Sequence, residues 1–282
     1  MIQSKQIVTI PARMITVAVA VASLGGCAMF SADGGFGAVG IATKDRGLQQ
    51  EVKWVKTGKD AEQVQAAVKR LLATPLTADS VVQIALLNNR ALQATYAELG
   101  IAESDLVQAG RLINPGFTFE RLHRGSDVSI DRTFLVNVMA LITMPIRTNL
   151  EKRRFELVQG RIAAETLQVA ADTRRAWATA VAAQETVKYM EQVRDAAATS
   201  AELARRMAGV GNFSKLDQAR EQVFYAEVTA QLARVKQTAV SQRERLTRLM
   251  GLWGEDIGFR LPDRLPTCRK ARAPSRISKS KR

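Results

Sequence analysis

Apolar residues recur at helical spacing along most of the chain and switch to alternation in one stretch. Val64, Val68, Leu71 and Leu72 share one face of a helix predicted over 60–72, which Pro75 ends. A second helical pattern runs over 77–115, with Thr77 as N-cap and Pro115 as terminator. Val81, Ile84, Ala85 and Leu92 repeat along it, as do Leu99, Ala102, Leu106 and Ala109, and Asn88-Asn89 kinks or divides it. Over 116–146 the period changes. "FTFERL" and "DRTFLVNVMALITMPI", separated by "HRGSD", are rich in Phe, Val, Ile and Thr and read as a β-hairpin. Phe117 and Phe119 alternate with Thr118 and Glu120, the alternation expected of a membrane barrel wall with a wet lumen. A small soluble hairpin is the alternative.

From 149 to 208 the helical pattern returns without proline and with Gly160 as its one glycine. Val169, Ala176, Ala183, Met190, Ala197 and Ala204 form one row seven residues apart. Thr173, Ala180, Val187, Ala201 and Ala208 form a second, interrupted by Arg194. An alanine seam allows close backbone approach. Trp177, Val181 and Val193 lie off both rows, so more than one flank seeks a neighbour. "AGVGNF" then breaks the helix, and 214–250 resumes it, with Leu216, Val223 and Ala230 in one row and Ala219, Ala226, Ala233 and Val240 in another. About sixty helical residues span roughly 90 Å. The helices before the hairpin and after the break are each about half to two-thirds as long. The expected fold is mainly α: a long helical hairpin or coiled-coil layer with an inserted β-hairpin, the strands at one end and the turn 209–213 near the other.

Composition sharpens this picture. Aromatics are 5% of residues, and Ala, Gln, Glu and Arg dominate the second half, as in long helices. The formal charge of +14 is concentrated at the ends, in Lys5, Arg13 and the acid-free stretch 269–282, so nucleic acid is not the expected partner. Lys5 and Arg13 precede "MITVAVAVASLGGC", an apolar run too short to span a bilayer but suited to a signal peptide over 1–26. Leu24-Gly25-Gly26 before Cys27 resembles a bacterial lipobox, which implies lipid on Cys27, and Ala28 implies delivery to the outer membrane. Residues 27–59, glycine-rich, read as a linker from that anchor. Cys268 sits in a basic tail over 267–282, so an intramolecular disulfide is not expected. A single histidine, His123, and the absence of a Cys/His cluster argue against a metal site or cofactor. Glu98, Glu103 and Asp105 read as a solvated helix face rather than catalytic acids.

The ordered series "ALLNNRALQATYAELGIAESDLVQAGRLINPGFTF", "MPIRTNLEKRRFELVQGRIAAE", "RRAWATAVAAQETVKYMEQV", "RRMAGVGNFSKLDQAREQVFYAEV" and "RLTRLMGL" resembles the TolC family of outer-membrane efflux proteins, particularly its lipoprotein members. The likeness covers most of 77–266 and implies one of the family's two repeats. It implies that 116–146 supplies two strands of an outer-membrane β-barrel and that the helices line a periplasmic conduit. It also implies a homo-oligomer, a trimer in the family, with a hexamer open to a half-length chain. A membrane-fusion adaptor would dock at the turn, and an inner-membrane pump would supply the energy, so no enzymatic activity is expected. The docking residues implied are Gly209, Val210, Gly211, Asn212, Phe213, Ser214 and Asp217. The glycines permit a tight reversal, and Ser214 with Asp217 suits a helix start. Asn212 departs from the aliphatic residue usual in the family. The stretch "TCRKARAPSRISKSKR" is unlike the family's linker to a second repeat, so a truncated chain is an expectation too. The alternative functions are a periplasmic coiled-coil scaffold or adaptor-like lipoprotein, or a non-functional fragment.

Overall fold

The computed structural model describes residues 30–125 and 127–266. The leader over 1–26, Cys27 and the basic stretch 267–282 lie outside the described residues. In chain order the elements are α1 (Phe36–Asp45), α2 (Gly58–Leu72), α3 (Ala78–Asn88), α4 (Arg90–Ala109), β1 (Gly116–Arg124), β2 (Asp127–Leu135), α5 (Val138–Gly209) and α6 (Lys215–Met250). A short 3-10 helix, Gly254–Gly258, follows. The architecture is mainly helical, with long helices and one two-stranded antiparallel sheet between α4 and α5. The expected fold class is therefore the observed one. The chain divides into two compact units, one of residues up to Ala42 with Thr95–Ala163, the other of Thr43–Ala94 with the residues from Ala164 onward.

In the second unit, local chemistry sets the helix boundaries. Thr57 caps α2 through a reciprocal box: the Asp60 amide donates to Thr57 Oγ1 at 3.2 Å, and the Thr57 amide donates to Asp60 Oδ2 at 3.1 Å. The helix thus starts at Gly58, two residues before the predicted start at 60. The Thr57 hydroxyl bond first, and Lys53 after it, lowers the Asp60 carboxyl to about 2. Thr77 caps α3 as expected, with Ser80 closing the box. Asn88-Asn89 divides the next helical run: Asn89 is extended at φ −68° and ψ 112°, and its Oδ1 accepts the Leu92 amide at 3.1 Å.

The core of this unit includes Val81, Val82, Ile84, Leu86, Val181, Leu246 and Met250, all buried. Leu76 is saturated: its amide donates to the Arg260 carbonyl at 2.8 Å, and its carbonyl accepts the Trp177 indole Nε1–H at 2.8 Å. The segment after the 3-10 helix is tied to α5 by the Leu265 amide on Glu185 (3.1 Å) and by Lys188 with Asp263 (2.5 Å).

Four expectations are corrected. The stretch 27–59 is not only linker, because α1 lies inside it. The glycines at 34 and 35 take positive φ before the helix, and buried Val39 and the Phe36 ring, 4.8 Å edge-on to Tyr96, hold it in place. Packing stabilises α1 where composition argues for a loop. The second strand is also shorter than 146: β2 ends at Leu135 and α5 begins at Val138. Asn137 starts that helix by accepting the Ala140 amide on Oδ1 at 2.9 Å, which outweighs the β-propensity of the sequence that follows. Glu103 is not on a solvated face; it is buried and bonded to Ser31.

The fourth correction concerns α6. Leu216, Val223, Ala230, Ala219, Ala226, Ala233 and Val240 are all exposed. The face turned toward α5 instead carries Tyr225, Val228, Leu232 and Val235, packed with Met190, Val193 and Ala197. Several seven-residue rows coexist in this sequence, Leu and Val occur in exposed and buried rows alike, and the row that packs is the one facing Met190, Val193 and Ala197 of α5. On α5 the expected rows fare better, with Ala176, Met190, Ala197, Ala204, Thr173, Ala180 and Ala201 buried.

Candidate functional site

Two places correspond to the sequence expectations, the β-hairpin in the first unit and the helical turn in the second. The hairpin pairs Phe117 with Phe134, Thr118 with Thr133, Phe119 with Arg132, Glu120 with Asp131, Arg121 with Ile130, Leu122 with Ser129 and His123 with Val128. Residues directly opposite share a face and alternate along each strand. One face therefore carries Phe117, Phe119, Val128, Ile130 and Phe134. The other carries Thr118, Glu120, Ser129, Asp131 and Thr133. β2 is exposed along its whole length, and the large apolar residues of both strands are about half exposed or more.

This sorting is only half legible in the sequence, because "DRTFLVNVMALITMPI" taken as one strand is apolar on both faces. Ending β2 at Leu135 removes the apolar run 138–146 from it and restores the alternation. Five residues break the pattern: Arg121, His123 and Arg132 on the apolar face, and Leu122 and Leu135 on the polar one. Arg121 and Arg132 are diagonal neighbours on either side of the middle pair, Glu120 and Asp131. On the polar face Glu120 stands directly opposite Asp131, a like-charge pair that destabilises a hairpin unless water solvates it. No helix among the described residues is long and apolar enough to cross a membrane.

The turn is a Schellman closure. The Gly211 amide donates to the Ala208 carbonyl at 3.1 Å, and the Asn212 amide donates to the Met207 carbonyl at 3.0 Å. Gly211 takes φ 81°, the left-handed conformation that closure requires, whereas Gly209 ends α5 without positive φ. Ser214 then caps α6: the Asp217 amide donates to Ser214 Oγ at 3.0 Å, and Ser214 Oγ donates to Asp217 Oδ2 at 2.7 Å. Arg220 pairs with Asp217 at 3.1 Å. Below the turn, Ser200 donates to Glu221 at 2.7 Å, and Lys236 pairs with Glu191 at 2.8 Å, which fixes the antiparallel register of α5 and α6. Glu202 gathers Arg205 and Arg206, both at 2.8 Å, and those bonds, Arg205 first, lower its carboxyl to about 2.

Six of the seven turn residues, Gly209 to Ser214, are thus consecutive in one reversal, and Asp217 joins them through the Ser214 cap. Within and beside them Val210 is 73% exposed, Leu216 62% and Val223 56%. Leu203, Leu216, Val223 and Phe224 are exposed there; the seven-residue spacing of Leu216 and Val223 also fits a buried seam, so spacing alone does not distinguish the two.

No protein-family model matches the chain. It is 28% identical over 183 residues to the cobalt-zinc-cadmium resistance protein CzcC of Cupriavidus metallidurans, a match covering 64% of this chain and 44% of that protein. The fold is similar to that in a crystal structure of a membrane protein from Pseudomonas aeruginosa. The TM-score is 0.53 at 16% identity, over 66% of this chain and 45% of the other. The matched region thus spans somewhat under half the length of each.

Proposed function

We propose that this chain is an outer-membrane subunit of an efflux conduit, with β1 and β2 in a membrane barrel and α5 and α6 forming part of a helical passage in the periplasm. The sorting of the hairpin into an apolar and a polar face carries this reading, because both faces are exposed and the polar one is acidic. In lipid a strand pair must have both edges hydrogen-bonded, so further strands come from outside the described residues, including copies of this chain. The resemblance of the helical segments to the TolC family and the similarity to CzcC support the conduit role. The CzcC similarity also supports divalent metal ions as cargo.

In this reading Cys27 carries the lipid anchor. A periplasmic adaptor meets the turn at Gly209, Val210, Gly211, Asn212, Phe213, Ser214 and Asp217, and an inner-membrane pump drives transport. The exposed apolar stripe beside the turn supports a neighbouring helix there, from the adaptor or from another copy.

Cysteine accessibility tests the central claim. In chains carrying Cys268→Ser, Phe119→Cys is expected to resist a water-soluble maleimide in outer-membrane vesicles, while Thr118→Cys reacts when the passage is open to solvent. Equal and rapid labelling of both positions overturns the barrel. Labelling of Cys27 itself, in the same vesicles, overturns the lipid anchor.

A further inference from the structure

Where α4 ends, the strands begin and α5 starts, the first unit has a groove of about 780 Å³. Its walls are graded in the same direction. On α5 and just before it the lining passes from Ala140, Leu141 and Met144, with Asn137 beside β2, to Arg147, Glu151 and Arg154, with Leu150 among them. On the α4 side it passes from Ile113 and Leu112, next to β1, through Arg111 to Gln108 and Asp105. Phe134 and Val136 close the apolar end. Thr148 ties the walls together, donating to the Ala109 carbonyl at 3.1 Å and to the Met144 carbonyl of its own helix at 2.9 Å.

The charged end is not self-neutralised. Glu151 pairs with Arg154 at 2.6 Å, but Arg111 and Arg147 make no ion pair among the described residues. Asp105 is the one lining acid left against two guanidinium groups. A guanidinium presents paired donors that match phosphate oxygens. A site that is apolar toward the hairpin and cationic away from it fits an amphiphile whose tail points toward the strands.

We infer that this groove binds a bilayer phospholipid, its phosphate on Arg147 and Arg111 and an acyl chain along Leu112, Leu141 and Met144. The inference rests on the hairpin lying in the membrane, which sets the groove at the headgroup level. A bound lipid fills the space at the junction of strand and helix and fixes the depth at which the hairpin sits.

The test uses the full chain extracted in mild detergent, with dioleoylphosphatidylglycerol added and bound lipid counted by native mass spectrometry. One retained lipid per chain is expected, and Arg147→Ala combined with Arg111→Ala should weaken retention about tenfold, the loss typical of a charge-assisted bond. Arg153→Ala, an exposed arginine on the same helix outside the groove, should change nothing. Equal retention by the double variant and the parent overturns the site. Inorganic phosphate competing as well as the lipid overturns the acyl part. A disulfide between copies at Met144→Cys, formed in quantitative yield in vesicles, assigns the groove to a neighbouring protein chain and overturns the lipid. Maleimide labelling at Phe119→Cys, read in parallel, separates the cases: protected labelling with lost lipid dependence defeats this inference alone, and unprotected labelling defeats the barrel.

Discussion

The side-chain amide of Asn88 donates to the Gly251 carbonyl at 2.8 Å, and a Cβ on Gly251 would lie 2.5 Å from the Asn88 carbonyl oxygen. The C-terminus of α6 is therefore seated on the break between α3 and α4. Asn88 also donates to the Met250 carbonyl at 3.1 Å, and Asn89 donates to the Leu249 carbonyl at 2.9 Å. Side-chain amides satisfy carbonyls that the end of a helix leaves open. Gly251 is required twice, by its φ of 66° and by the approach of backbone.

Gly251→Ala should therefore destabilise by about 3 kcal/mol or more, combining left-handed strain with a backbone clash. Gly211→Ala meets nothing within 4 Å and should cost only about 1 kcal/mol from its conformation. Denaturant unfolding of the two variants side by side checks this; equal losses would show that contact with Asn88 contributes nothing.

Asn88→Ala leaves two partly buried carbonyls without that donor and should cost about 1–2 kcal/mol. Asn88→Asp should be no better, since a carboxylate cannot donate to a carbonyl. Thermal melts followed by circular dichroism measure both.

Glu202 titrates at about 2 rather than at the ordinary 4.5, held down by Arg205 first and Arg206 next. Because its folded value is depressed, its stabilising effect is complete above about 4.5 and is lost as pH falls through about 2. Carboxyl carbon chemical shifts followed against pH should give a midpoint near 2. Arg205→Ala with Arg206→Ala should return it toward 4.5, and an unmoved midpoint would mean that another group holds Glu202 ionised.

Glu103, 6% exposed, accepts the Ser31 amide at 2.6 Å and the Ser31 hydroxyl at 2.5 Å. Glu103→Ala removes both bonds, and amide exchange over 31–40 should quicken about tenfold or more for the loss of charged hydrogen bonds worth about 1.5–3 kcal/mol. Glu103→Gln keeps one acceptor oxygen and should fall between the two. Unchanged exchange in Glu103→Ala would mean that Asp33, which accepts the Gly35 and Gly37 amides, and the Phe36–Tyr96 contact hold the segment alone.

If the apolar face of the hairpin meets lipid, Phe119→Lys should cost about 2–4 kcal/mol of membrane stability near the bilayer middle, and Thr118→Lys on the polar face about 1 or less. Urea unfolding from vesicles distinguishes them, and equal costs would place both faces in water.

Much of the fold was determined by local chemistry that the sequence displays directly. Thr77 as a cap, the division at Asn88-Asn89, the reversal at Gly211 and the start at Ser214 each follow from residue types whose hydrogen bonds are made within a few positions. Helical periodicity likewise marked the long elements, because 3.6-residue spacing is a property of one segment. Tertiary structure decided what depends on partners. α1 forms within a glycine-rich stretch because Val39 and Phe36 find neighbours far along the chain. β2 stops at Leu135 because Asn137 caps a helix there, and only that boundary shows that its two faces differ. On α6 several apolar rows compete, and the one that packs is set by the volume that α5 leaves around Met190 and Ala197. Spacing fixes which residues share a face of a helix; which face is buried depends on the free energy of filling the space beside it.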